Sequence, residues 1–265
     1  MKRSILLLFL YSACTAQVQT TSTEVSAEAE ISNQLGGAVL WYQNSAEMKL
    51  SYYQSYQYAK MMLDNKLERS RLAKPAAVVL DIDETVLDNS PYEAQIFDKG
   101  ETYKSESWHK WTEEARAAAL PGALDFVEYA KSRGVEVFYI SNRSVSELEP
   151  TIKNLKKEKF PNASEEFVML KSETSDKTER RNKVLESHTV LVYVGDNLTD
   201  YSELFADRDK NMGKDLVEKY KDELLSNFVM LPNPMYGEWE GAIYDNNYGL
   251  SDDLKLKKRK EALIK

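Results

Sequence analysis

The chain has 265 residues, 42% hydrophobic and 29% charged, with 35 Lys and Arg against 43 Asp and Glu for a formal charge of −8. These proportions exclude a disordered or low-complexity chain. The acidic balance excludes a protein that grips nucleic-acid polymers through a basic face. A single cysteine excludes an internal disulfide, so the fold rests on its hydrophobic core.

The first residues read as an export leader. Lys2 and Arg3 supply positive charge, 5–11 an apolar run too short to span a bilayer, and Ser12-Ala13-Cys14 a small-residue processing site. Residues 1–13 are therefore read as a signal peptide of the lipoprotein type, with Cys14 carrying the lipid and Tyr11 at the position where Leu is usual. Cleavage after Ala16, giving simple secretion, is the alternative. The expected location is the outer membrane, contacted only through that anchor, or otherwise the periplasm or the medium. Residues 14–31, rich in Ser, Thr, Ala and Glu, read as a flexible tether, and 32–265 as the folded domain.

Apolar and aromatic residues recur at helical spacing over 35–72, which predicts one or two long helices before Pro75. Ala76-Ala77-Val78-Val79-Leu80 is the continuous apolar run of a buried parallel strand. Similar runs follow at 135–140, 167–170, 190–194 and 228–231, separated by helical patterns at 123–131, 146–157, 177–186 and 214–225. This alternation predicts an α/β fold, a doubly wound parallel sheet with crossover helices. Residues 89–120, with Trp108 and Trp111 and no strand signal, read as a small, mainly helical cap over the sheet's edge. The basic run at 255–260 reads as the solvated face of a terminal helix.

Polar residues stand at the carboxyl ends of four of these strands, where open α/β sheets bind ligands. Asp81-Ile82-Asp83-Glu84-Thr85 follows the first strand, Ser141-Asn142-Arg143 the second, Lys171 and then Ser175-Asp176-Lys177 the third, and Gly195-Asp196-Asn197-Leu198-Thr199-Asp200 the fourth. In an extended segment Asp81 and Asp83 project to one side. One Asp after a strand is ordinarily a turn or a helix cap. Gathering Asp81, Asp83, Asp196 and Asp200 is costly without a cation, and hard carboxylate oxygens suit Mg²⁺ with phosphate as co-ligand.

These motifs, Asp-x-Asp-x-Thr, Ser-Asn, a Lys and Gly-Asp-Asn-x-x-Asp, resemble the four motifs of the haloacid-dehalogenase (HAD) superfamily. Within it the chain resembles the class C bacterial acid phosphatases, through Trp41, the run 79–92, Trp108 with Trp111, Pro121-Gly122-Ala123, Leu231-Pro232-Asn233, Tyr236-Gly237 and Trp239-Glu240. The resemblance implies a HAD-like sheet with a helical cap, one Mg²⁺ per chain and hydrolysis of small phosphomonoesters such as nucleoside monophosphates and aryl phosphates. A phosphotransferase on the same fold and a non-catalytic surface-binding lipoprotein are the alternatives, and a homodimer is compatible with it.

The implied roles are specific. Asp81 is the nucleophile that takes the phosphoryl group, and Asp83 the acid that protonates the leaving oxygen and then activates water. Asp81, the backbone carbonyl of Asp83 and Asp196 are the metal ligands, with Asp200 orienting a metal-bound water. Ser141 and Asn142 donate to phosphoryl oxygens while Lys177, preferred over Lys171 for its place at a helix start, offsets their charge. Crowded carboxylates around Asp83 are expected to set a mildly acid optimum. Gly195 is expected to admit close backbone approach, and Tyr92, Tyr236 and Trp239 to contact the substrate, Tyr236 by stacking.

Overall fold

The computed structural model describes residues 25–69 and 71–265. The leader, Cys14 and the first part of the tether lie outside those residues. From Ala27 onward the stretch read as tether is already helical: Ser26 caps the helix by accepting from the Ala29 amide at 3.2 Å, and Ile31 is buried. The predicted N-terminal helices are two, α1 (Ala27–Asn44) and α2 (Ala46–Arg69). No helix among the described residues is long and apolar enough to cross a membrane.

β1 (Ala76–Leu80) follows, buried along its whole length. The segment 89–120 is mainly helical as expected, carrying α3 (Ser90–Lys99) and α4 (Ser105–Glu113). It also holds a pairing the sequence did not signal, since β2 (Leu87–Asp88) and β3 (Ala118–Ala119) pair antiparallel at its root. Two-residue strands are too short to show periodicity. Then come α5 (Ala123–Ser132), β4 (Glu136–Ser144), α6 (Leu148–Lys157), β5 (Val168–Lys171), α7 (Thr178–Ser187) and β6 (Thr189–Gly195). The single helix expected over 214–225 is broken at Tyr220 into α8 (Lys214–Lys219) and α9 (Lys221–Asn227). β7 (Phe228–Met230), α10 (Glu238–Ile243) and α11 (Asp252–Ala262) complete the order.

The five long strands form one parallel sheet in the order β5-β4-β1-β6-β7. The chain therefore builds outward from β1 on one side, returns, and builds outward on the other. This is the doubly wound arrangement, and its switch point lies at the carboxyl end of β1. Side chains of β1 alternate between two cores. Val78 and Leu80 join the large core with Tyr52, Tyr56, Phe126 and Leu155, whereas Ala77 and Val79 join Phe138, Ile140 and Val184 under α7.

Packing against the thicker core explains the tyrosines of α2. Tyr52 donates to the carbonyl of Glu84 at 2.5 Å and Tyr56 to that of Thr85 at 2.6 Å, so the rings fill the core while their hydroxyls fasten the loop after β1. That loop turns sharply, with Ile82 O accepting from the amides of Val86 and Leu87 at 2.9 Å and Glu84 at a positive φ of 55°. In the same core α1 crosses α3 closely, because a Cβ at Gly36 would stand 2.5 Å from the Phe97 ring.

Candidate active site

Asp81 follows β1 directly, and its amide still pairs with Val194 O of β6 at 3.0 Å, which fixes its position against the end of the neighbouring strand. Asp196 follows β6. A turn from Asn197 then brings Asp200 back, where it accepts from the Asn197 amide at 2.9 Å. One carboxylate oxygen from each of Asp81, Asp196 and Asp200 lies within 4.8 Å of the others, and all three residues are buried. Gly195 makes this possible in a way the sequence reading did not anticipate. A Cβ there would stand 2.2 Å from Asp200 Oδ2, so the space is taken by this carboxylate.

Lys177, the residue before α7, inserts its ammonium among these acids. It donates to Asp81 Oδ1, to Asp200 Oδ1 at 2.6 Å and to Ile140 O at 2.8 Å, so all three of its donors have partners. Lys171, the competing lysine, remains at the end of β5 and does not line the cavity. Burial pushes the Asp81 carboxyl up to about 7, with Asp200 and Asp83 adding to the rise and Lys177 opposing it. Burial also drives Asp196 well above the carboxylate range, with Asp200 and Asp81 reinforcing it. Burial works to lower Lys177, but Asp200 and Asp81 outweigh it and hold the ammonium charged.

Three buried carboxylates therefore face one ammonium. Lys177 holds only one oxygen of Asp81, and Asn197 and Asn233 (3.1 and 2.8 Å) hold only one of Asp196. Among the described residues the remaining Asp81 and Asp196 oxygens have no donor. Hard, acceptor-only, negatively charged oxygens in excess fit a divalent cation.

Asp83 stands apart from that cluster. Its Oδ1 accepts from Asn89 Nδ2 at 2.8 Å and from Arg143 Nε at 2.9 Å and Nη2 at 2.7 Å, while its Oδ2 accepts from Ser141 Oγ at 3.0 Å. The crowding of carboxylates expected around Asp83 falls instead on Asp81, Asp196 and Asp200. Ser141, expected to serve phosphate, gives its hydroxyl proton to Asp83. Asn142 is exposed, with its Oδ1 held by Arg180 Nη2 at 2.8 Å, which leaves its amide N–H groups free. These residues belong to β4 itself, whose pairing with β5 is irregular between Ile140 and Ser144.

The clamp on Asp83 is anchored in the cap. Asn89 Oδ1 accepts from the Trp111 indole at 2.8 Å and from Arg143 Nη2 at 3.2 Å. Asn154 of α6 pairs with both the amide (3.0 Å) and the carbonyl (2.7 Å) of Ala117, fixing the cap's root. The part Asn89 and Trp111 play in clamping Asp83 has no sequence signal, since pairing across 22 residues leaves no local pattern. Asn233 had a signal available, because it lies in the loop just after β7, on the same edge of the sheet as Asp196 after β6.

The site forms the floor of a cavity of about 540 Å³ that also reaches α1, α3, α10 and α11. Tyr236 and Trp239 line it as expected. Tyr92 does not: it is 2% exposed, and its ring packs edge-on against Trp108 at 5.2 Å and Tyr103 at 6.4 Å. Those two neighbours face the cavity in its place.

Fold and floor together define a doubly wound α/β protein with a site built for a cation and an anionic group at its switch point. The sequence profile of the HAD superfamily, subfamily IIIB (acid phosphatase), matches residues 6–239. The class C acid phosphatase from Bacillus anthracis superposes with a TM-score of 0.85 at 40% identity, covering 89% of this chain and 99% of that one. Its form with tungstate bound gives 0.84 at 40% identity, covering 88% and 98%. Acid phosphatase 1 of Solanum lycopersicum is 28% identical over 163 residues, and the match spans 60% of this chain and 57% of that protein. The chain belongs to the subfamily IIIB acid phosphatases of the HAD superfamily.

Proposed function

We propose that this protein hydrolyses phosphomonoesters with Asp81 as nucleophile and Mg²⁺ as the divalent cation. The observation that carries the reading is the joint placement of Asp81, Asp196, Asp200 and Lys177 at the switch point, with a clamped second carboxyl, Asp83, beside them. The tungstate held by the Bacillus anthracis relative, a tetrahedral oxyanion, supports a phosphate-sized ligand on this floor.

In the first step an Asp81 oxygen bonds to phosphorus as the bond to the ester oxygen breaks, and Asp83 gives that oxygen a proton. In the second, Asp83 takes a proton from water, the water oxygen bonds to phosphorus, and the bond to Asp81 breaks to release inorganic phosphate. Asp81 and Asp196 would hold the cation, with Asp200 beside them and, by the family resemblance, the Asp83 carbonyl as a further ligand. When bound, the cation neutralises charge on the phosphoryl oxygens. Lys177 acts by charge, since its donors are already engaged, and keeps the Asp81 and Asp200 oxygens in place. Asn142 offers its free amide N–H groups to the phosphoryl oxygens. The rings of Tyr236, Trp239, Tyr103 and Trp108 favour esters with a flat leaving group, nucleoside or aryl. A lipid anchor at Cys14 and an outer-membrane location belong to the same proposal, supported by the leader's composition.

The test is hydrolysis of p-nitrophenyl phosphate with and without EDTA. Turnover that stops with EDTA and returns with Mg²⁺ is expected; a purified protein inert toward this ester with Mg²⁺ present overturns the reading.

A further inference from the structure

The cavity is much larger than a phosphate, and its far wall carries a group that the reaction does not use. Glu93, in the first turn of α3, lines the cavity, is only 5% exposed, and has no hydrogen-bond or ion-pair partner among the described residues. Its neighbours differ in this respect. The Glu240 carboxylate on α10 accepts from Tyr244 at 2.9 Å and from Arg259 at 2.5 Å, and Arg259 also reaches Gln34 of α1 at 3.0 Å. Each nitrogen of the Arg259 guanidinium thus has a partner, and none of them is Glu93. A buried carboxyl without a partner carries a desolvation penalty that a ligand's donor relieves. Burial raises Glu93 to about 8, and the Glu240 charge adds to the rise. Protonated or ionised, the group keeps an acceptor oxygen.

Position makes Glu93 a reader of the leaving group. It lies one helical turn beyond Asn89, whose side chain holds Asp83, and a turn advances about 5.4 Å. Ile96, one turn further along the same helix, lines the cavity as well. Glu93, Ile96 and Tyr236 thus line one cavity with the phosphoryl site, so a flat leaving group held there shares its space with this face of α3. The buried hydroxyl of Tyr236 has no partner among the described residues.

We propose that Glu93 forms a leaving-group subsite that accepts a hydrogen bond from an amino group on the distal edge of the ring, so that amino-bearing nucleoside or aryl phosphates are the preferred esters. The proposal rests on the phosphomonoesterase reading and names the substrate class for it.

Adenosine 5′-monophosphate and purine riboside 5′-monophosphate differ only in the presence of the amino group and make the test. The wild type is expected to favour the adenosine ester in kcat/KM by about 5- to 10-fold, the worth of one such hydrogen bond. Glu93→Met removes the acceptor at similar volume and brings the ratio to about one, while Glu93→Gln, whose amide carbonyl still accepts, retains most of the preference. Equal kcat/KM values in the wild type overturn the subsite without recourse to any variant, as does a preference that survives Glu93→Met. Wild-type hydrolysis of p-nitrophenyl phosphate, measured alongside, separates the readings: its absence sinks the phosphatase itself, whereas turnover without an amino preference sinks only the subsite.

Discussion

The two ends of the cavity are built on opposite terms. At the floor, the side chains sit at the ends of strands in the middle of the sheet and are bound to one another: Lys177 uses every donor, Asp83 is held by three residues, and Asn197 and Asn233 fix Asp196. At the far wall, helices from distant parts of the chain meet, and among the described residues Glu93 and the Tyr236 hydroxyl are left without partners. The floor is preorganised for one charge pattern, which suits a reaction whose transition state is the same for every ester. The wall leaves the Glu93 carboxyl to be satisfied by whatever enters, which suits discrimination among leaving groups.

If that division is right, damage to the floor abolishes turnover for all esters, and damage to the wall changes the choice among them. The largest effect is expected from Asp81→Asn, which removes the nucleophile and should lower kcat by about 10⁴-fold or more on every substrate in steady-state assays. Lys177→Met should cost about 10²- to 10³-fold. It should also destabilise the fold by about 3–5 kcal/mol in urea titrations without added metal, because Asp81 and Asp200 are left buried and uncompensated. Added Mg²⁺ should restore part of that stability.

At the wall the effects are smaller and selective. Tyr236→Ala should raise KM for aromatic esters by about 10-fold, the worth of one stacked ring, with little change for a short aliphatic phosphate. An equal rise for both would place Tyr236 with the floor. Glu93→Met should change stability in a pH-dependent way. The Glu93 carboxyl lies at about 8 folded against 4.5 unfolded, so the folded chain binds the extra proton between those values. Its favourable contribution is complete below pH 4.5 and lost as pH rises through 8. Melting curves should therefore show Glu93→Met gaining on the wild type from pH 4.5 to 8, by on the order of 5 °C at the upper end. A gap that is flat over this range would mean that Glu93 already has a partner.

The same contrast decides what could be read from the sequence. Much of the floor was legible because a continuous apolar run marks a buried strand, and such a strand delivers the polar side chains after it to the switch point. Asp81 and Asp196 were reached in this way, and Asp200 through the motif that begins at Asp196. At β5 the same rule points to Lys171, and Lys177 was reached only through its place at a helix start and the family resemblance. What escaped was contact across the fold. Asn89, itself held by Trp111, fixes Asp83 from the cap, Ser141 turns to Asp83, and Tyr92 faces inward while Tyr103 and Trp108 take the cavity side. The far wall is legible in no single segment, because α1, α3, α10 and α11 all contribute to it from distant parts of the chain. Arg259 shows the difficulty well. It lies in a basic run with the composition of a solvated helix face, yet it is turned inward against Glu240 and Tyr244.

The central claim, that Asp81 takes the phosphoryl group covalently, is tested most directly in Asp83→Asn. p-Nitrophenolate departs without a proton, so the first step continues, while the second loses the base that activates water. Acid-quenched peptide mass spectrometry during turnover is predicted to find a phosphoryl group on the peptide containing Asp81. Continued release of p-nitrophenol and phosphate with that peptide unmodified would contradict the account.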